Sequence, residues 1–392
     1  MHIANRMSRL GTETAFEVLA KVKALEAQGK NIVRFEIGEP DFDTPQNIID
    51  AAKNALDKGY THYGPSAGLV EFRKVIAETV TKDRPGFSCT ADEVVVTPGG
   101  KPIMFYAILA IVDEGDEVIY PNPGFPIYES MINFVGGKAI PLQLKEEKDF
   151  RFEIADLKAL ITPKTRMLII NSPQNPTGGI LTKEDIEEIA KLAIEHDFIV
   201  LSDEIYSKIV YDDFKPYSIL QIPGMKERTI LLDGFSKTYA MTGWRLGFGV
   251  MPADIANLVA KLQTNSNSCT SSFTQIAGIE ALTGDQSAVG AMVKEFKIRR
   301  DAIVDGLNKI PGFHCLRPKG SFYVMPNITG TGMTSREMET FLLNEAGVSC
   351  LSGTAFGAYG EGFIRFSYAN SLENIKEALK RIEEALKKLP KA

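Results

Sequence analysis

The sequence predicts an α/β fold built on a mostly parallel sheet covered by helices. Three observations carry that prediction. Between residues 93 and 251, short apolar runs alternate with segments of helical periodicity, the pattern of strands buried on both faces by crossover helices. The chain has 392 residues, 44% hydrophobic and 24% charged, enough for two domains or for one large α/β unit with an annex. A Pro- and Asp-rich turn, Gly38-Glu39-Pro40-Asp41-Phe42-Asp43-Thr44-Pro45, marks the crossing into the main domain.

Taken in order, residues 12–29 place Phe16, Leu19, Val22 and Leu25 at helical spacing and close on Gly29, so an amphipathic helix packing as an arm is expected. A short strand over 32–37 precedes the turn. Helices follow over 46–58 and 69–81, separated by the irregular loop Tyr60-Thr61-His62-Tyr63-Gly64-Pro65. The apolar runs then fall at 94–96, 117–120, 167–170, 198–201, 229–232 and 246–250. The last helix, over 372–386, repeats Ile375, Leu379, Ile382 and Leu386 at helical spacing and reads as a packing helix.

Parallel sheets bind ligands outside the carboxyl ends of their strands, so the residues that follow each run matter most. The first run ends in Thr97-Pro98-Gly99-Gly100-Lys101 and opens a helix over 102–112. Two glycines let backbone approach a ligand closely, the helix start offers free N–H groups to an anion, and Pro102 is tolerated in a first turn. The second ends in Pro121-Asn122-Pro123-Gly124-Phe125, which projects an aromatic ring. The third gives Asn171-Ser172-Pro173-Gln174-Asn175-Pro176-Thr177-Gly178, then a helix capped by Thr182 with Asp185 three residues on. The fourth ends in Ser202-Asp203-Glu204-Ile205-Tyr206, leaving a carboxylate past an apolar strand, where it needs a cationic partner. The fifth ends in Gly234-Phe235-Ser236-Lys237, with Arg245 eight residues beyond the lysine.

Each feature alone has a plain structural reading: a turn, a core ring, a surface lysine. Together, on one edge of one sheet, they describe a site for pyridoxal 5'-phosphate. A deprotonated Lys237 can form a Schiff base with an aldehyde while Ser236 and Arg245 hold a phosphate on the same ligand. A protonated pyridine nitrogen is the cation that Asp203 lacks. Asn175 and Tyr206 can donate to the ring's phenolate oxygen.

The composition also excludes classes. A formal net charge of -6 gives no basic footprint for nucleic acid, and Lys387, Lys388 and Lys391 form only a short solvated tail. Cys89, Cys269, Cys315 and Cys350 lie far apart without metal-ligand spacing and read as reduced thiols of a cytoplasmic protein. The start, Met1-His2-Ile3-Ala4-Asn5-Arg6, lacks the apolar core of a signal peptide, and the longest apolar run, 103–112, is too short to span a bilayer. No Gly-x-Gly-x-x-Gly follows a strand, which disfavours a dehydrogenase. His2, His62, His196 and His314 have no partners in sequence and read as structural, with His196 near the end of its helix.

Asn175-Pro176-Thr177-Gly178, Ser202-Asp203-Glu204-Ile205-Tyr206, Ser236-Lys237-Thr238 and Gly243-Trp244-Arg245-Leu246-Gly247, in this order, resemble the class I aminotransferases of the fold type I pyridoxal-phosphate superfamily. The similarity is greatest to the prokaryotic branch of aspartate and aromatic enzymes. It runs from Gly38-Glu39-Pro40-Asp41-Phe42 to Gly362-Phe363-Ile364-Arg365-Phe366-Ser367-Tyr368-Ala369. The resemblance implies an arm over 1–45, a large cofactor-binding domain over 46–285 and a small α+β domain over 286–392 completed by the N-terminal segment. Lys237 would carry the cofactor and move a proton between substrate Cα and the cofactor. Asp203 would pair with the pyridine nitrogen, Tyr206 and Asn175 with the phenolate oxygen, and Phe125 would stack on the ring. Gly100, Lys101, Ser236 and Arg245 would hold the phosphate, with Tyr63 from the second subunit of a homodimer. Arg365 would clamp the substrate α-carboxylate, aided by Asn175 and Gly38; without the family, it reads as a strand residue facing water. Asn122–Pro123 and Asn175–Pro176 are expected to be cis.

The implied reaction moves an amino group from an L-amino acid, aspartate or a broader aromatic set, to a 2-oxo acid, 2-oxoglutarate. A cysteine-sulfur β-lyase shares the fold and the lysine. A non-catalytic effector sensor would need an attached DNA-binding module, and with no basic N-terminal stretch in these residues that reading is not expected. Two departures bear on the substrate. The stretch Asn265-Ser266-Asn267-Ser268-Cys269-Thr270-Ser271-Ser272 lacks the arginine that some relatives use for an acidic side chain; Lys101 is the obvious substitute, the alternative being that only its backbone serves the site. Pro102 and the pair Gly124-Phe125 also differ from many aspartate enzymes.

Overall fold

Seven strands form the central sheet: β1 (Val94–Thr97), β2 (Glu117–Asn122), β3 (Lys138–Gln143), β4 (Thr165–Asn171), β5 (Ile199–Asp203), β6 (Thr229–Gly234) and β7 (Gly247–Val250). The computed structural model that shows them describes residues 2–388, so Lys391 of the basic tail lies outside the described residues. The spatial order is β1-β7-β6-β5-β4-β2-β3. β7 runs antiparallel to both neighbours, and the other pairings are parallel. The mostly parallel sheet is therefore as expected, with one strand added. β3 escapes the apolar pattern because Lys138-Ala139-Ile140-Pro141-Leu142-Gln143 is an edge strand, half-buried and interrupted by a proline that such an edge tolerates.

Alternate residues of the central strands point to opposite faces and enter different apolar clusters. Val95, Ile169, Leu201 and Leu232 pack with Ile103, Met104, Tyr128 and Met131 on one side. On the other, Val94, Val96 and Leu231 pack with Ile48, Phe72 and Ile76, and Leu168, Ile170 and Val200 with Ile186 and Ile189. Helix Lys183–Glu195 starts with the expected reciprocal cap: Thr182 Oγ1 accepts from Asp185 N at 3.2 Å and Asp185 Oδ2 from Thr182 N at 2.8 Å. His196 is its C-cap residue.

A second core joins the two ends of the chain. Val33 and Phe35 pack with Phe296, Val304, Phe322, Val348, Ile364, Phe366, Ile375 and Ile382. The last helix spans Leu372–Leu386 as expected, and the first spans Thr14–Ala27. The strand expected over 32–37 is shorter: only Val33–Arg34 pairs, parallel to Val348–Ser349. Beyond it the chain leaves the ladder, and the carbonyls of Glu36 and Gly38 accept bonds from Arg365 and Lys237 instead. Arg365 lies on the middle strand, Ile364–Ser367, of a three-stranded antiparallel sheet. Asn122–Pro123 and Asn175–Pro176 are cis, and so is Ser172–Pro173. Among the described residues, no helix is long and apolar enough to cross a membrane.

Candidate active site

The carboxyl ends of β1, β2, β4, β5 and β6 open onto one cavity of about 410 Å³. Each end contributes to its lining: Gly100 and Lys101, Phe125, Asn171 and Asn175, Asp203 and Tyr206, Ser236 and Lys237. Arg245, Gly38 and Arg365 complete it. Of the site residues predicted from sequence, only Tyr63 is not brought in; it stands 91% exposed on its own chain.

One end of the cavity is shaped for an anion. Gly99 has φ +91°, and a Cβ there would lie 2.2 Å from Arg245 Nη2. A Cβ at Gly247 would lie 2.5 Å from Gly100 N. Two chain segments and a guanidinium thus crowd around the start of helix Lys101–Ile111, where backbone N–H groups are free. Arg245 is held by carbonyls, donating from Nη1 to Thr242 at 2.8 Å and from Nη2 to Pro98 at 3.4 Å.

The floor carries a buried carboxylate without a cation. Asp203 accepts hydrogen bonds from the Tyr128 hydroxyl at 2.6 Å and from Ile205 N at 3.2 Å. Burial nevertheless pushes its carboxyl up to about 6, against the pull of those donors. Tyr128 escaped the sequence reading because an aromatic on the apolar face of helix Ile127–Val135 looks like any core residue. Its ring meets Phe125 edge-on at 5.6 Å. Asn171 was also missed as a positioner: its Nδ2 donates to the Asp203 carbonyl at 3.0 Å, and its Oδ1 accepts from Asn175 N at 2.9 Å. Its side chain thus ties the backbone of β5 to that of the loop after β4.

Lys237 Nζ donates to the Gly38 carbonyl. Burial lowers its pKa to about 8, opposed by the charge of Glu39 and assisted by Arg365. The amine therefore reaches its neutral, nucleophilic form far more readily than a surface lysine does. Above it, the Tyr206 and Tyr323 hydroxyls are 2.9 Å apart, both buried and both pushed up by desolvation. Gly38 is needed there, since a Cβ would fall 2.1 Å from the Tyr323 hydroxyl.

Arg365 is 4% exposed, so it does not face water. Its guanidinium lies between the rings of Tyr323 and Phe356, at 4.6 and 4.9 Å. Nη1 donates to Asn175 Oδ1 at 3.2 Å and Nη2 to the Glu36 carbonyl, while Nε has no partner among the described residues. Desolvation lowers its pKa. A buried cation held by neutral acceptors, with a donor to spare, is a receptor for a carboxylate. Lys101, by contrast, has an anionic partner: its Nζ pairs with the Glu13 carboxylate, 5.4 Å above the Phe125 ring.

Residues 30–382 match the family model for aminotransferase class I and II. The chain belongs to this family. It is 44% identical to an aspartate aminotransferase of Pyrococcus abyssi, over 93% of this chain and 94% of that one. It is 42% identical to aromatic-amino-acid aminotransferase 2 of Thermococcus litoralis, over 91% and 92% of the two chains. The solved aspartate aminotransferase of Thermus thermophilus with maleate superposes with a TM-score of 0.94 at 36% identity, covering 98% of this chain and all of that one. The protein is thus a pyridoxal-phosphate-dependent transaminase of fold type I. The cavity fits that cofactor on its own terms. The glycine-lined anion pocket suits the phosphate, Asp203 lacks a cation, and Lys237 is a buried amine of lowered pKa.

Proposed function

We propose that this aminotransferase takes the amino group of an L-amino acid, aspartate or a broader aromatic set, and passes it to 2-oxoglutarate, with Lys237 as the amine that carries the cofactor. The observation that supports this most directly is that Lys237, Asp203 and Arg365 line one cavity, each without a counter-ion among the described residues. When bound, pyridoxal phosphate supplies an aldehyde that takes up amines and a ring that stabilises negative charge at the substrate's Cα. The chain does the rest. Gly100 and Lys101 hold the phosphate through backbone N–H groups, with the Ser236 hydroxyl and the Arg245 guanidinium. Asp203 faces the ring nitrogen, kept in its charged form by Tyr128 and the Ile205 N–H. Asn175 and Tyr206 donate to the ring oxygen, and Phe125 packs on the ring face.

Arg365 holds the substrate α-carboxylate with its free Nε and one Nη, aided by Asn175 and the backbone of Gly38. That clamp orients Cα toward Lys237, whose neutral amine takes the Cα proton and returns it on the way to product. Tyr63 reaches the phosphate of a second copy in a homodimer, since its ring is exposed on its own chain. The small domain over 286–392, completed by the N-terminal segment of the arm over 1–45, closes on substrate against the large domain over 46–285. The four cysteines are free thiols, in keeping with the cytoplasm.

The test is a half-reaction screen. The cofactor-loaded protein is mixed with single L-amino acids, and the absorbance of the bound cofactor is followed without any oxo acid present. Conversion by acidic or aromatic amino acids, reversed by 2-oxoglutarate, is the expected result. Release of pyruvate and ammonia from cystathionine with no added oxo acid would refute it in favour of a lyase.

A further inference from the structure

We propose that Glu13 is an internal competitor for Lys101: it holds the ammonium group until a dicarboxylate enters, and so sets the balance between acidic and apolar side chains at one site. The proposal rests on the reading of the cavity as the substrate site.

Glu13 sits where the chain crosses between two parts of the molecule. Two residues earlier, Gly11 is fastened to Ser130, donating from N to Oγ at 2.9 Å and accepting at its carbonyl from the same hydroxyl at 3.2 Å. Immediately after it, helix Thr14–Ala27 buries Val18 and Val22 against Leu343, Leu351 and Phe356. Phe356 is also a wall of the Arg365 pocket. From this crossing the Glu13 carboxylate reaches the Lys101 Nζ over the cavity mouth, with side-chain exposures of 18% and 49%.

Ala15, Phe16, Ile37 and Met104 make the rest of the mouth largely apolar, with Glu39 a second carboxylate in the lining, whose charge acts on Lys237. With the ion pair closed, Lys101 offers no free charge there, and the apolar side chains suit an aromatic or aliphatic substrate. A dicarboxylate makes a different demand. Its α-carboxylate takes Arg365, while Lys237 and Arg245 serve the cofactor, so among the described residues that line the cavity its second carboxylate has Lys101. That cation is already paired. The ligand must exchange one carboxylate for another, a swap that recovers little because both partners offer the same charge-assisted bond. An apolar substrate leaves the pair as it is.

The experiment measures binding, not turnover, by calorimetry on the cofactor-loaded protein with two unreactive ligands, glutarate and 3-phenylpropionate. Glu13→Gln should shift the ratio of their dissociation constants toward glutarate by about three- to tenfold, the range of one partly exposed charged hydrogen bond. Lys101→Ala should shift the ratio the other way, toward 3-phenylpropionate, because the second carboxylate of glutarate then loses its cation and meets an unpaired Glu13. An unshifted ratio in Glu13→Gln, or in Lys101→Ala, overturns the proposal. Arg365→Ala is the control for the site itself and should weaken both ligands. Retention of both would overturn the cavity reading and the Glu13 proposal together. Loss of both, with no Glu13 effect, removes the Glu13 proposal alone.

Discussion

Tyr128→Phe removes one oxygen from a fully packed helix and with it the strongest donor to Asp203. The replacement keeps the ring, so the contact with Phe125 and the surrounding apolar cluster survive. What changes is the charge state below the cofactor. The phenol at 2.6 Å stabilises the carboxylate, and hydrogen bonds to charged groups contribute about 1.5–3 kcal/mol. At about 1.4 kcal/mol per pH unit, its loss should lift the Asp203 carboxyl by roughly one to two units above its present value of about 6. Asp203 would then be half-protonated near neutral pH instead of charged. The assay is the dissociation constant of pyridoxal phosphate for the cofactor-free protein across pH 6–9, read by fluorescence quenching. The wild type should bind evenly above about pH 7 and weaken only toward pH 6, whereas Tyr128→Phe should bind weakly below about pH 7.5 and recover above it. In Asp203→Asn the hydroxyl should have no such effect. A parallel, pH-independent weakening in Tyr128→Phe would refute the reasoning, because it would place the hydroxyl's role in packing and not in the charge of Asp203.

Two further outcomes test other parts of the site. Gly99→Ala places a side chain at φ +91° and against Arg245, so cofactor affinity should fall by about tenfold or more while the unfolding midpoint of the cofactor-free protein moves little; dialysis against phosphate and a urea titration measure the two. Asp203 has a raised folded pKa, so between about 4 and 6 the folded state binds more protons than the unfolded one, and this group's contribution to stability falls as pH rises through that window. Asp203→Asn should therefore gain on the cofactor-free wild type by about 2 kcal/mol between pH 4 and pH 7 in urea unfolding, and an equal offset at both pH values would contradict the shift.

The strand ends were legible because their chemistry is conspicuous against apolar runs. Asp203 lies two residues past the apolar run 198–201, and Lys237 three residues past β6, so a charge at each position demands a partner. Arg365 was legible only through the family, because Phe363-Ile364-Arg365-Phe366 alternates as an edge strand would, and only the packing of Tyr323 and Phe356 shows it buried. Tyr128 and Asn171 left no signal, since their role is to position a neighbour 75 or 32 residues away. Glu13 was hidden for a related reason. A glutamate ahead of a surface helix normally serves the helix start, and its partner lies 88 residues on. Edge strand β3 was lost to Pro141, whose missing N–H matters in a central strand and not at an edge.

The way the cations are held explains how the cavity stays ready for anions. Lys237 leans on the Gly38 carbonyl, Arg365 on the Glu36 carbonyl, and Arg245 on the carbonyls of Thr242 and Pro98. A carbonyl is a neutral acceptor. It fixes direction without cancelling charge, so an arriving phosphate or carboxylate finds each cation oriented and still unneutralised. Holding those charges out of water raises the free energy of the empty site, which is visible in the lowered pKa of both Lys237 and Arg365. Anionic ligands relieve that cost, and binding is favoured by the amount relieved. Lys101 alone among these cations meets a carboxylate of the chain itself. Its charge is cancelled before any ligand arrives, so it contributes selectivity where the others contribute affinity. The same cavity can then grip every substrate by its α-carboxylate and still discriminate among side chains at the mouth.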